Sequence, residues 1–143
     1  MAVGTFLDLC VVVILKVMKR FFTFLGIIAL LSSFTFANGI EDIVQALKTG
    51  NAAGVAKYFD NTVEITLPEK SNSYSKSQAE MILKDFFNNN PVKGFDIIHK
   101  GENAGSQYCI GTLFTKSGSF RTTVFMKLKG EKQMLQEIRF ENR

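Results

Sequence analysis

Apolar residues after position 37 recur at intervals of three and four, and this spacing predicts amphipathic helices. The first helix begins at Asn38, which with Glu41 forms a capping-box-like pair, and it ends at Gly50. A second, short helix covers residues 51–59, and the polar residues 60–61 stop it. The predicted buried stripes of these helices are formed by Ile40, Ile43, Val44 and Leu47, and by Val55, Tyr58 and Phe59.

A third helix is predicted to begin at Ser75 or Ser77 and to stop at residues 88–91, three asparagines followed by a proline. Its apolar stripe consists of Ala79, Ile82, Leu83, Phe86 and Phe87. Between the second and third helices, residues 62–67 alternate apolar and polar side chains, which predicts a strand. The polar residues 69–74 that follow are predicted to form a loop.

The last third of the chain changes to a period of two, which predicts four antiparallel strands. These strands cover residues 94–100, 104–116, 119–129 and 132–140, and short turns that contain glycine connect them. We expect one face of the sheet to pack on the helices, an α+β layer arrangement. The residues expected on that buried face are Tyr108, Ile110, Thr112, Phe114, Phe120, Thr122, Val124, Met126, Leu128, Met134, Ile138 and Phe140.

The segment GNAAGVAKYFDNTV, residues 50–63, runs from the second helix into the first strand, and the third helix ends before Pro91. This segment and the order of elements resemble the nuclear-transport-factor-2-like fold, a cone-shaped α+β fold that is also called cystatin-like. The resemblance covers residues 38–143 and extends to an uncharacterised bacterial family of exported proteins. It implies about three N-terminal helices packed on a curved antiparallel sheet, with a cavity between them. Because the motif is topological, it implies no activity.

Residues 18–37 show the three-part pattern of a secretory signal peptide. A cationic start at residues 18–20 precedes the apolar run 21–31, and the small residues Thr35 and Ala37 occupy the positions that signal peptidase reads. The apolar run is shorter than the roughly 20 residues that a membrane-spanning helix needs. We therefore expect export to the periplasm or out of the cell, with membrane contact only through the uncleaved signal.

The first 17 residues need a separate explanation. They contain another apolar run, residues 11–15, so a start at Met1 would place the cationic residues between two apolar segments, which is unusual for a signal peptide. We expect residues 1–17 to be a start-site overcall, with translation beginning at Met18 and residues 38–143 forming a single domain. The alternative is a two-segment membrane anchor, for which the run 11–15 is short.

Composition adds two constraints to this picture. Of the 17 Lys and Arg and 13 Asp and Glu, three cations and one anion precede Asn38, which leaves a net charge of +2 on residues 38–143. These charges are interleaved rather than clustered, which argues against nucleic-acid binding. Only one of the two cysteines, Cys109, follows the leader, so we predict no disulfide within the domain and expect Cys109 to be a buried apolar residue.

Candidate chemistry is sparse. His99 shares the parity of Phe95 and Ile97 and so points inward by simple alternation, but its place beside a turn, with Asp96 on the opposite face, favours a solvent-edge residue over an acid or base. One histidine and one cysteine give no metal-ligand cluster, and we predict no metal, no cofactor and no catalytic residue. The candidates for lining a ligand pocket, for which ordinary core packing is the alternative, are Tyr58, Tyr74, Phe86, Phe87, His99 and Tyr108.

The sequence therefore predicts a non-enzymatic exported domain that binds a small apolar molecule, a peptide or a partner protein. The alternatives are a pocket enzyme of isomerase, dehydratase or hydrolase type, and a structural dimer module of the envelope. An apolar cavity would favour the first function, convergent acid and base groups the second, and a filled interior with an apolar outer surface the third. We also expect a weak homodimer through the outward sheet face, with Leu113 and Phe125 on that face.

Overall fold

The computed structural model describes residues 2–30 and 39–143, and its contacts divide the chain into two units, Met1–Ala37 and Asn38–Arg143. In the first unit a single helix, α1 (Ala2–Leu30), includes the run 11–15 and most of the run 21–31. The expected cleavage site after Ala37 and the expected helix cap Asn38 lie outside the described residues. Within the described part of the chain, no helix is both long and apolar enough to cross a membrane.

The helices of the second unit form where the three-to-four periodicity predicts them: α2 (Gly39–Thr49), α3 (Ala52–Ala56) and α4 (Lys76–Asn89). The predicted stripe of α2 is buried, and the helix ends where Gly50 takes a positive φ of 65°, a conformation that glycine adopts without a steric penalty. At the start of α3, the side chain of Asn51 accepts a hydrogen bond of 3.0 Å from the Gly54 N–H.

The structure shows which of the two predicted residues, Ser75 or Ser77, begins α4. Ser75 is the capping residue, because its backbone N–H and its hydroxyl both donate to Oε1 of Gln78, at 3.3 Å and 3.0 Å. The predicted stripe faces the core, with Ala79 and Leu83 fully buried. The helix ends at Asn89, before Pro91, as predicted.

Six strands form one curved sheet in the order β2-β1-β6-β5-β4-β3, in which only the β1–β6 pair is parallel. Helix α2 packs on β3 and β4, and α4 packs on β1 and β2, so the helices share one face, which we call the inner face. The predicted α+β class is confirmed. The strands are β1 (Phe59–Leu67), β2 (Lys70–Ser75), β3 (Val92–Asn103), β4 (Ser106–Thr115), β5 (Gly118–Lys129) and β6 (Lys132–Asn142).

Strand β2 corrects the prediction that residues 69–74 form a loop. It pairs with β1 from Leu67↔Lys70 to Thr62↔Ser75 and lies at the edge of the sheet. The segment is polar at nearly every position, and all of β2 except Tyr74 is exposed. Its sequence therefore has no apolar alternation, and its strand conformation comes from backbone pairing with β1.

Two element boundaries also differ from the predictions. The second helix ends at Ala56 and β1 begins at Phe59, so residues 60–61 belong to a strand and do not stop a helix. Strand β3 continues through Asn103, past the turn predicted at residues 101–103. The chain reverses one step later, at Ala104 and Gly105, whose φ angles are 46° and 80°.

The inward set predicted for β4 was wrong by one position. Cys109 and Leu113 are fully buried and pair with the core residues Val124 and Phe120 of β5, so the odd-numbered positions face inward. Tyr108, Ile110 and Phe114 therefore face outward, and Leu113 is absent from the outer face. Both faces of β4 carry apolar side chains, so alternation alone did not identify the buried one.

Bulges change the alternation in β3 and β6, and two of them affect the placement of Leu135 and His99. In β6 the register shifts between the pairs Phe125↔Glu137 and Met126↔Leu135, so Leu135 and Ile138 are both fully buried although they are three positions apart. In β3 the shift falls between Ile97 and His99, and it turns His99 to the outer face, opposite Ile110.

Side chains occupy the space between the helices and the sheet, where the fold resemblance implied a cavity. Ring pairs among the core phenylalanines have centroid distances of 4.5–6.1 Å. The largest fully buried side chains are Phe59, Phe140, Ile43, Leu47, Ile65, Leu83, Leu113, Met126, Leu135 and Ile138. Interiors packed in this way resist changes of volume, so this layer acts as a structural core.

Candidate functional site

Four of the six candidate residues lie in three separate places, at the helices, on β2 and in the core, and Phe86 and Phe87 are neighbours in the core. Tyr58 lies against Gly39 and donates a hydrogen bond to the Asp42 carboxylate, which together with burial raises the pKa of Tyr58 to about 12. Tyr74 faces inward opposite the buried Val63 and is half-buried against the core. Phe86 and Phe87 belong to the cluster of core phenylalanines.

The other two candidates, His99 and Tyr108, meet on the outer face. His99 Nε2 and the Tyr108 hydroxyl form a hydrogen bond of 2.9 Å, and their ring centroids are 5.5 Å apart. Tyr108 pairs in register with Gly101, where an added Cβ would lie 2.5 Å from the tyrosine ring, so this ring lies directly over the glycine. The inward position predicted for Tyr108 is therefore corrected: the ring covers backbone on the outer face of the sheet, opposite the face that α2 and α4 cover.

Apolar side chains continue this pair across the next strand. Tyr108 pairs with Phe125, and Ile110, which lies opposite His99, pairs with Thr123. We call His99, Tyr108, Ile110 and Phe125 the outer strip. No helix of the Asn38–Arg143 unit packs on this face, and the three apolar side chains of the strip are only partly buried.

Charged side chains border the outer strip on β6. Arg139 donates to Oε1 of Glu137 through Nη2 at 2.6 Å and through Nε at 3.2 Å, and its Nη1 lies 3.9 Å from Glu141. The hydrogen bonds to Glu137 raise the pKa of Arg139 further. Glu64 of β1 pairs in register with Glu137, so two acids lie next to Phe125 together with Arg139, and both signs of charge are present there.

Asp60 is a buried carboxylate that the sequence gave no reason to single out. Lys129 forms an ion pair with it, Gln136 donates at 2.6 Å and the Asn61 N–H donates at 2.8 Å. These hydrogen bonds, led by that from Lys129, lower the pKa of Asp60 to about 2. Gln136 lies at the β6 bulge, so Asp60 links the irregular part of β6 to β1 and is a structural residue.

Cys109 is confirmed as a buried residue. Its side chain has no solvent exposure, and burial raises the pKa of the thiol to about 11. A thiol in this state is inert, because the thiolate is the nucleophile. Within residues 2–30 and 39–143, no group of three or more His, Cys, Asp and Glu side chains is arranged to hold a metal ion.

A depression of about 310 Å³ lies between the first turn of α2 and the β3–β4 hairpin, and we call it the mouth depression. Lys100 forms an ion pair across the depression with Glu41. The hydrogen bond that Lys100 donates within this pair raises the pKa of Lys100. The depression is lined by Ile40, Glu41, Lys100, Gly101, Glu102 and Gln107. Only Ile40 among these is apolar, so the lining suits a polar group.

Residues 40–141, almost the whole second unit, match the model of a domain of unknown function, DUF4783. The chain belongs to the DUF4783 family. A solved DUF4783 structure from Bacteroides uniformis is 31% identical over 72% of this chain and 95% of that one, with a TM-score of 0.70. Another, from Bacteroides fragilis, is 32% identical over 71% of this chain and 96% of that one, with a TM-score of 0.68.

More distant similarity extends the DUF4783 fold to a larger class. An NTF2-like protein of unknown function from Cytophaga hutchinsonii is 10% identical over 71% of this chain and 83% of that one, with a TM-score of 0.52. The nuclear-transport-factor-2-like fold expected from the sequence is therefore confirmed, and at this identity the likeness concerns the fold alone. A search of curated proteins finds no match to the chain.

His99 and Cys109 are residue types that general-base or nucleophilic catalysis uses. In the described residues, His99 bonds to a tyrosine hydroxyl rather than to a carboxylate, and the thiol of Cys109 is shielded from solvent. A general base needs an orienting partner and access to substrate, and a nucleophile needs an adjacent base. In the described part of the chain, the outer strip exposes apolar side chains and the mouth depression exposes polar ones.

Proposed function

We propose that this DUF4783 protein is an exported, non-enzymatic interaction domain that pairs with a second copy of itself through the outer strip. One observation carries the proposal: the inner face is covered and filled, whereas Tyr108, Ile110 and Phe125 lie side by side on the outer face, where no helix of the Asn38–Arg143 unit packs. A small apolar ligand would need an apolar cavity. The filled interior favours a protein surface as the partner.

The charges around the outer strip favour a second copy over an unrelated partner. In a two-fold contact the same patch faces itself in reversed orientation, so a patch that carries both signs can match its own copy. Arg121, Arg139 and Arg143 and the acids Glu64, Glu137 and Glu141 lie on this face. Phe125, next to Glu137 and Arg139, would form the apolar centre of the contact.

Sedimentation analysis of the parent protein and two variants tests this proposal. Phe125→Ser removes the apolar centre of the outer strip, whereas Met81→Ser makes a comparable change at an exposed position of α4. We expect the parent and Met81→Ser to dimerise with a dissociation constant between about 10 µM and 1 mM, and Phe125→Ser to stay monomeric. A monomeric parent at about 1 mM, or equal behaviour of both variants, would contradict the proposal.

A further inference from the structure

The chain contains one histidine, His99, and the structure places it in the outer strip. Its ring lies against Tyr108, with a centroid distance of 5.5 Å, and its register partner on β4 is Ile110. The side chain is exposed in the single copy, so solvent can hydrate either of its protonation states there. Histidine is the side chain whose charge changes between about pH 5 and pH 8. A contact that covers this ring therefore responds to pH in that range.

The size of a protein contact brings His99 under the second copy. Neighbouring strands lie about 4.8 Å apart, so β3 is roughly 7 Å from a centre between Tyr108 on β4 and Phe125 on β5. Even a weak contact that buries about 500 Å² per partner reaches roughly 10 Å from its centre. In such a dimer His99 loses the water that it contacts in the single copy.

The neutral form of the ring suits a covered position. Nε2 of His99 lies 2.9 Å from the Tyr108 hydroxyl, and in a neutral ring that carries its proton on Nδ1 this nitrogen accepts the hydroxyl hydrogen. The tyrosine hydroxyl and Nε2 then keep their hydrogen bond when water leaves. The protonated ring is a charge, and moving a charge out of water is costly unless an opposite charge pairs with it.

The acid that shares the outer face with His99 on β3 is Asp96, and it lies next to two cations. The bulge in β3 puts both residues on this face, which corrects the expectation that they lie on opposite faces. Asp96 pairs in register with Thr112, whose hydroxyl accepts a hydrogen bond of 2.6 Å from Arg143, and Arg121 pairs with Thr112 from β5. These two cations offset the charge of Asp96, so it offers the protonated ring little attraction.

The remaining charges around His99 also give its protonated form no net support. On the inner side of β3, Lys100 and Glu41 of α2 are paired with each other. Toward β5 and β6 the outer face carries both signs, from Arg121, Arg139, Arg143, Glu64, Glu137 and Glu141. A two-fold contact also brings the second copy of His99 into the same interface, so protonation adds two like charges to one dimer. Loss of hydration therefore decides the sign.

We propose that protonation of His99 separates two copies joined through the outer strip, so that the protein pairs at neutral pH and dissociates in a mildly acidic medium. This inference rests on the proposed self-association. The dimer, with neutral rings, binds fewer protons than two free copies, so its affinity is complete above the titration range of histidine and is lost as pH falls through that range. Two rings per dimer allow a change of up to about a hundredfold per pH unit.

Sedimentation of the parent and two variants at about pH 7.5 and about pH 5.5 tests this release, since most carboxylates stay ionised over that range. We expect the dissociation constant of the parent dimer to be at least tenfold larger at the lower pH. His99→Gln keeps a polar side chain but takes up no proton, so the ratio of its two dissociation constants should be near one. Met81→Ser, at an exposed position of α4, should keep the full pH dependence.

The histidine ring gives a second readout that needs no substitution. Because the chain has one histidine, its Cε1–H resonance in NMR spectra is assigned without variants. The ring would be titrated in the parent protein at about 1 mM and at about 20 µM, above and below most of the expected range of dissociation constants. We expect the midpoint to lie at lower pH in the concentrated sample, because the contact favours the neutral ring.

The outcomes separate the pH response from self-association itself. A parent dimer with equal affinity at both pH values, or a ring midpoint that ignores concentration or rises with it, would overturn the role of His99 and leave the dimer standing. A His99→Gln dimer that still dissociates in acid would assign the response to another group. A parent that stays monomeric at both pH values would overturn the proposed self-association together with this inference.

Discussion

Asp60 shows at the scale of one residue how a buried charge makes stability depend on pH. Its pKa of about 2 in the folded protein lies below the value of about 3.9 expected in the unfolded chain, so its contribution is complete above pH 4 and is lost as pH falls through 2. The shift alone would correspond to about 2.6 kcal/mol. Since Lys129 is half exposed, solvent screens the pair and we expect about 1–2 kcal/mol.

Denaturant unfolding of the parent and Asp60→Asn at several pH values measures this contribution. Asp60→Asn should be less stable than the parent by about 1–2 kcal/mol at pH 7, and the difference should shrink toward zero between pH 4 and pH 2. Glu131→Gln, at an exposed turn near Lys129, should follow the parent throughout. A constant difference at all pH values would show that Asp60 acts through packing rather than through its charge.

At the scale of elements, glycine substitutions test the close packing of β3 against β4. A Cβ at Gly111 of β4 would lie 2.6 Å from the Asp96 backbone oxygen and would overlap the ring of Phe95. Because backbone cannot yield easily, Gly111→Ala should cost about 1–3 kcal/mol. Gly94→Ala in the neighbouring strand β3, where an added Cβ meets no atom within 4 Å, should be neutral or slightly stabilising. Thermal melts that rank the two variants in the opposite order would refute the β3–β4 register.

The sequence predicted those elements whose burial follows a single period. The helices and β1 were readable because one side of each is apolar, as in the stripe of α4. The sequence did not predict β2 because this strand is polar on both faces. In β4 the wrong face was predicted to be buried because both faces carry apolar residues. The bulge after Ile97 then placed His99 beside Tyr108, and no property of the sequence marks where such a bulge falls.

At the candidate site, too, the sequence predicted the buried and exposed faces only where a strand alternates regularly. Phe125 was correctly placed on the outward face, since β5 alternates cleanly, whereas Leu113 was misplaced with the rest of β4. The pairing of Asp60 with Gln136 spans 76 positions and depends on the parallel β1–β6 contact. Long-range partners of this kind become visible only once the strand order is known.

At the scale of the whole molecule, the predicted signal peptide, residues 18–37, can be tested independently of the fold. Signal peptidase should cleave after Ala37, because Thr35 and Ala37 supply the small side chains that it requires. N-terminal sequencing of protein recovered from the periplasm or the medium should therefore begin at Asn38 or within two residues of it. Recovery of the intact chain from the membrane fraction would favour the two-segment anchor instead.

Self-association through the outer strip is the central claim, and an NMR dilution series locates the contact directly. Backbone amide resonances of the protein would be followed from about 1 mM down to about 10 µM. We expect concentration-dependent shifts to concentrate at residues 108–112 and 121–125, the outer strip and its neighbours on β4 and β5, and to vanish in Phe125→Ser. Shifts confined to the helices or to the β2 edge, or spectra that do not change on dilution, would contradict the account.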